Sequence, residues 1–271
     1  MTRSDEQLRE TVRKKYAEVA RSADSGCCGV TACCDDESLL TDEITMIGDA
    51  YDGVGGYMQE ADLGLGCGLP VEHAGLRPGQ TVLDLGSGAG LDIFVAREHV
   101  GESGRLIGVD MTAEMISKAR RNARKAGFEN IEFRLGEIEN MPVRSGEADV
   151  VISNCVLNLV PDKQQAFAEI YRVLKKGGHF CISDVVSSRR MPDWAREIAD
   201  AYAGCVSGTM PKIEYLDLIR KAGFEQVTVV TERRIDVPED LLAAQLSSAQ
   251  KDEVQEQDLH VSSVTVTARK P

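Results

Sequence analysis

The 271-residue chain is short of aromatic residues, with one Trp, six Tyr and six Phe, and short of bases, with 31 Lys and Arg against 44 Asp and Glu. The resulting formal charge of −13 comes with no basic cluster. That argues against nucleic acid as a partner and for a small or neutral substrate. No apolar run approaches the roughly 20 residues of a membrane span. The opening MTRSDEQLRE is too charged for the apolar core of a secretory leader, so a cytoplasmic location is expected. Long internal repeats and low-complexity linkers are also missing. What the chain does have is eight cysteines and 25 glycines. In a reducing compartment these cysteines are not expected to form a disulfide scaffold. They point to soft-metal or redox chemistry, or to thiols in the core. The length suits one large domain or up to two, and it can bury a core without covalent staples.

The most informative stretch is Thr81–Gly90, TVLDLGSGAG. Val82, Leu83 and Leu85 form a short apolar run that meets Gly86, Ser87, Gly88, Ala89 and Gly90, as a buried parallel strand turning tightly into a helix would. The glycines permit the turn and let a ligand approach the backbone. A helix beginning near Ala89 would aim N–H groups at an anionic group. Asp84 stands two residues before Gly86, and a second strand, Arg105–Val109, ends in Asp110 and Met111. An acid at the tip of the second strand is placed to bind a nucleotide ribose. Dinucleotide binding would favour G-x-x-G after the first glycine pair. The acid-x-G-x-G-x-G form instead resembles motif I of class I S-adenosylmethionine methyltransferases. The resemblance implies an α/β fold with a Rossmann-like sheet, and the cofactor S-adenosylmethionine.

Around this stretch the chain divides into an N-terminal helical and loop extension (1–74), a Rossmann-like cofactor domain (75–187) and a C-terminal α+β substrate-binding or lid region (188–271). Gln7–Ala20 reads as an amphipathic helix with Leu8, Val12, Tyr16 and Val19 on one face and a charged, solvated face opposite. Two vicinal thiol pairs, Cys27-Cys28 and Cys33-Cys34, follow in a glycine-bearing loop. Three readings stand for it: a loop with thiols of no special role, a zinc site of unusual spacing, or a redox-active, soft-metal-capturing loop. In ADLGLGCGLP, Cys67 lies between Gly66 and Gly68, which suggests an accessible thiol. A short helix at Val71–Gly75 leads to the turn Arg77-Pro78-Gly79.

Strands and helices then alternate. Thr112–Ala126 is an expected helix with Thr112 as N-cap and Gly127 as stop. Asn130–Leu135 is a third strand, and the turn after it carries Glu137, Ile138 and Glu139, which would border the adenine at the carboxyl edge. Ala148–Ser153 is a fourth strand whose end, SNCVLNLVPDK, places Asn154 with the cofactor residues and Cys155 beside them. A helix from Pro161-Asp162 to about Leu174, stopped by Gly177-Gly178, precedes a fifth strand, His179–Asp184. Within that strand Cys181 reads as packing. Beyond it come helices at Asp193–Gly204 and Pro211–Ala222, then β segments at Phe224–Glu232 and His260–Ala268 that would complete an antiparallel edge. Cys205 follows the first of these helices.

Cys67, Cys155 and Cys205 come from separate segments, each expected to reach the same sheet edge. Taken singly, each is more often a core thiol. Together they could form a three-thiolate pyramid suited to a soft trivalent centre such as As(III), whose lone pair could attack a sulfonium methyl without a general base. The enzyme's task would then be proximity and alignment.

At these residues the chain resembles the arsenite S-adenosylmethionine methyltransferase family. The resemblance spans nearly the whole chain and is most specific at ADLGLGCGLP and SNCVLNLVPDK. It implies methylation of trivalent arsenic bound by Cys67, Cys155 and Cys205, and a role for an N-terminal cysteine, here Cys27. It also implies a thiol reductant, thioredoxin or glutathione, as co-substrate. Where some relatives carry a tyrosine two residues before the first site cysteine, this chain has Leu65. The competing assignments are a class I methyltransferase of an organic small molecule, such as a quinone or sterol, and a metalloid sensor that has lost catalysis.

Overall fold

The computed structural model describes residues 5–22, 51, 53–192, 194, 208–235, 247, 250, 253, 254 and 256–271. At its centre is a seven-stranded sheet of order β3-β2-β1-β4-β5-β7-β6. The strands are β1 (Thr81–Leu85), β2 (Arg105–Asp110), β3 (Ile131–Leu135), β4 (Ala148–Asn154), β5 (Leu174–Ser187), β6 (Glu225–Ile235) and β7 (Val261–Arg269). The first five pair in parallel, while β7 runs antiparallel between β5 and β6.

The near-continuous apolar runs of β1, β2 and β4 follow from burial on both faces. Alternate residues divide between the faces. Val82, Leu106, Val150, Ile152 and Cys181 pack with Ile93, Phe94 and Ile116. Leu83, Ile107, Val151, Phe180 and Ile182 pack with Phe167, Ile170 and Tyr215. The first layer uses α3 (Leu91–Val100) and α4 (Ala113–Lys125), and the second α5 (Lys163–Val173) and α6 (Lys212–Lys221). Two further helices precede the sheet, α1 (Asp5–Ser22) and the single turn α2 (Pro70–His73).

Strand order reverses between β1 and β4, which lie side by side and parallel in the sheet although two strands separate them in sequence. Connections leave those two strands towards opposite sides, which opens a crevice at their carboxyl ends. The glycine turn after β1 and the Asn154-Cys155 turn after β4 meet there.

Several sequence expectations change. Helix α3 starts at Leu91 rather than near Ala89, because Gly90 is its N-cap at φ 101°. Helix α5 ends at Val173, and Gly177-Gly178 lie inside a β5 longer than expected. There Gly177 N–H donates to the Lys270 carbonyl, in strand pairing rather than as a helix stop. The expected division at Ser187 falls at the end of β5, and the strands on its two sides form one sheet. The expected helix at 193–204, apart from residue 194, lies outside the described residues, as do the N-terminal thiols and Cys205. Among the described residues, no helix is long and apolar enough to cross a membrane.

Candidate active site

The crevice holds a cavity of about 350 Å³. Gly86, Ser87 and Gly88 line it from the β1 turn, and Asp110 and Met111 from the end of β2. Glu137, Ile138 and Glu139 line it from the β3 turn, and Asn154 and Cys155 from the end of β4.

Asp110 stands in the cavity at the end of β2. Its carboxylate accepts from Gly88 N–H at 3.0 Å and from Thr112 N–H at 2.8 Å. Burial raises its pKa, and these backbone donors partly offset the shift. A Cβ at Gly88 would meet nothing within 4 Å, so the chain leaves open space at its φ of +50°. Ser87 Oγ is buried and has no hydrogen-bond partner among the described residues. A fixed carboxylate, an unused hydroxyl and an uncovered glycine turn are what a ribose and an amino-acid moiety require, so these residues fit S-adenosylmethionine.

Two expected cofactor residues do not line the cavity. Asp84 is buried within β1, its pKa raised by burial and by Asp92 and Asp110. Gly90 instead makes room for rings: a Cβ there would come within 2.9 Å of both Phe133 and Phe94.

The acidic turn does not offer its carboxylates outright. Arg9 binds Glu139 at 3.1 Å and Arg13 binds Glu137 at 3.2 Å. The charged face of α1 is therefore partly spent on this turn rather than wholly solvated. Arg9, Val12 and Tyr16 line the cavity from α1.

Cys67 and Cys155 are brought together. They share one buried cluster with Val185 and Val261. Cys67 is fully buried, so its glycines do not serve thiol exposure. Gly66 and Gly68 instead allow the loop to lie directly on the sheet edge: Cβ atoms there would come 2.8 Å from Asn154 Nδ2 and 2.7 Å from Ser183 Oγ. Cys155 turns off β4 in the left-handed region, at φ 59°, with its N–H donating to the Ser183 carbonyl. A non-glycine residue holds that conformation only where its surroundings impose it. Cys181 lies in β5 away from the cavity, and burial pushes its thiol up to about 12, as expected of packing.

Sequence reasoning missed Tyr51 and Asp92. The Tyr51 hydroxyl donates to Asp92 Oδ1 at 2.7 Å, and both residues line the cavity. Asp92 sits in the first turn of α3, where an acid reads as ordinary dipole compensation.

Beside the thiols, the fully buried Asp184 accepts from Val185 N–H and from the Tyr215 hydroxyl. Burial pushes its carboxyl up to about 7, against lowering by Lys163 and the hydrogen bonds. The unfolded chain releases this proton near pH ~3.9, so the folded state binds it more tightly. The stability contributed by the protonated form is complete below that pH and is lost as pH rises through about 7. Asp184→Asn, a mimic of the neutral form, should therefore gain on the wild type between roughly pH 4 and 7 and then level off. Urea unfolding across that range checks this. A difference independent of pH would assign the titration to another group.

The sheet order, the glycine turn and the acid at the end of β2 define a class I S-adenosylmethionine-dependent methyltransferase. A family model described as a methyltransferase domain matches residues 76–233. The chain is 44% identical to an arsenite methyltransferase of Halobacterium salinarum, over 99% of this chain and 68% of that protein. It is 34% identical to an arsenite methyltransferase of Aquipseudomonas alcaligenes, over 89% of this chain and 69% of that protein. By structure it is similar to CrArsM, an arsenic(III) S-adenosylmethionine methyltransferase from Chlamydomonas reinhardtii. The TM-score is 0.63 and the identity 35%, over 74% of this chain and 66% of that one. The chain belongs to the arsenite methyltransferase family.

Proposed function

We propose that this protein methylates trivalent arsenic, presented as thiol adducts, with S-adenosylmethionine, giving mono- and further methylated arsenicals in arsenic detoxification. The observation that carries the reading is the meeting of Cys67 and Cys155 in one buried cluster, with Cys155 also lining the cofactor cavity. Soft thiolates suit As(III), and the third ligand is assigned to Cys205.

When bound, S-adenosylmethionine supplies an electrophilic sulfonium methyl group. Asp110 would hold its ribose hydroxyls, and Gly86, Ser87 and Gly88 its amino-acid part. The apolar side of Ile138 would face the adenine. Helix α1, fastened through Arg9 and Arg13, shields the cavity from water, which strengthens every polar contact inside. The protein thiols fix arsenic beside the cavity, so positioning supplies the rate advantage and no protein base is needed.

The co-substrate is a thiol reductant, thioredoxin or glutathione, with Cys27 capturing arsenite or exchanging disulfides with the site. A cytoplasmic location provides such reductants. Incubating purified protein with arsenite, S-adenosylmethionine and thiol, then separating the arsenic species, tests the assignment. Methylated arsenicals are expected. Their absence from a preparation that binds the methyl donor would overturn it, and methyl transfer to an organic acceptor would replace it. Normal turnover by Cys27→Ser would remove Cys27 from the cycle.

A further inference from the structure

We infer that Asn154 sets the position of the Cys67 thiol relative to Cys155, as a positioning residue for the arsenic site rather than a ligand of the methyl donor. The inference rests on the reading of those thiols as arsenic ligands. Cys67 and Asn154 are 87 positions apart in sequence, yet Asn154 Oδ1 accepts from Cys67 N–H at 2.9 Å. Its Nδ2 donates to the Gly68 carbonyl at 2.8 Å. One side-chain amide thus grips the loop backbone on both sides of the Cys67 side chain, and the next residue in the chain is the second thiol.

The amide is itself held in one orientation. Nδ2 also donates to the Tyr51 hydroxyl at 2.7 Å, and that hydroxyl donates to Asp92. The two N–H groups of Asn154 are therefore taken up by three acceptors, the Gly68 carbonyl, the Tyr51 hydroxyl and, at 3.3 Å, Asp92 Oδ2, and one lone pair of Oδ1 by Cys67. Little capacity is left for the cofactor, although the residue lines the cavity. Other contacts complete the seat. Ser263 Oγ donates to the Cys67 carbonyl from β7, and Gly66 lies against the amide with no room for a side chain. Cys155 is pinned in its left-handed conformation by Ser183.

Two ligands that share one ion act at high effective concentration only while their spacing is held. Loss of the amide should therefore weaken capture of arsenic more than binding of the methyl donor. Aspartate in its place could accept from Cys67 N–H but could not donate to Gly68 or Tyr51 when ionised, and its charge would stand beside Asp92.

The test uses Asn154→Ala, Asn154→Asp and Tyr51→Phe in the full chain. Dibromobimane, which bridges neighbouring thiols, is applied first and the Cys67–Cys155 bridge is quantified by peptide mapping. Calorimetry then gives affinities for arsenite and, separately, for S-adenosylmethionine. Both Asn154 variants should bridge poorly and lose about tenfold or more in arsenite affinity, from the unpaired backbone groups they leave. Their affinity for S-adenosylmethionine should stay within about threefold of wild type. Tyr51→Phe should fall between them and wild type. Wild-type bridging and arsenite affinity in Asn154→Ala would overturn the inference, as would a loss confined to the methyl donor. If the Asn154 variants do not fold, wild-type bridging in Tyr51→Phe overturns it. A wild-type protein that bridges its thiols but does not bind arsenite would defeat the arsenic reading and leave the positioning role standing.

Discussion

Cys155→Ser should lose arsenite methylation by about 10²-fold or more while keeping its fold, because a reacting atom that is no longer held in place costs that much. Serine is close to cysteine in shape and can keep the N–H bond to the Ser183 carbonyl, so the turn off β4 survives. What it cannot supply is a soft, ionisable ligand, since its hydroxyl is hard and almost never ionised at neutral pH. Cys67→Ser should behave alike, with some added loss of stability from placing a hydroxyl in the apolar cluster with Val185 and Val261. Cys205→Ser tests the third position. It should fail on arsenite, yet it can still methylate a singly methylated arsenical that needs only two sulfur ligands. Separation of arsenic species after turnover reads all three variants, with circular dichroism as the folding control. Wild-type turnover of arsenite by Cys205→Ser would make that residue a packing thiol and the three-thiolate site wrong.

Asp110→Ala is the second large effect. The carboxylate is expected to bind both ribose hydroxyls, and hydrogen bonds to a charged group contribute about 1.5–3 kcal/mol each. Affinity for S-adenosylmethionine should fall tenfold or more, since every ~1.4 kcal/mol is a factor of ten. The same change removes the acceptor that Gly88 and Thr112 N–H groups share, so the glycine turn loses its brace as well as its ligand contact. Calorimetry measures the loss directly, and arsenite affinity provides the internal control. An unchanged affinity for the methyl donor would place the ribose elsewhere in the cavity.

Much of this architecture could be read along the chain. Strand periodicity and glycine stops located β1 to β4 and α4 to within a residue or two, because their apolar runs are bounded by strong turn residues. The position of Asp110 followed from the same local logic, as did the packing role of Cys181. Less legible were the uses to which particular residues are put. Gly66 and Gly68 suggested an exposed thiol, but they let a loop press onto Asn154 and Ser183. Glu137 and Glu139 were legible as residues of the cavity edge, but not the ion pairs by which they fasten α1. Nothing near Tyr51 in sequence announced its bond to Asp92.

By itself, the sequence determined the alternation of strands and helices, the cofactor turn and the presence of thiols in separate segments, since each depends on residues within a few positions of one another. Only the tertiary structure decided that Cys67 lies beside Cys155, that Asn154 holds the Cys67 loop and that α1 covers the cofactor cavity. Those contacts depend on β4 lying next to β1 and on loops from distant parts of the chain converging on one sheet edge. Strand order is set by how the whole sheet buries its two faces, and no local periodicity encodes which loops then meet.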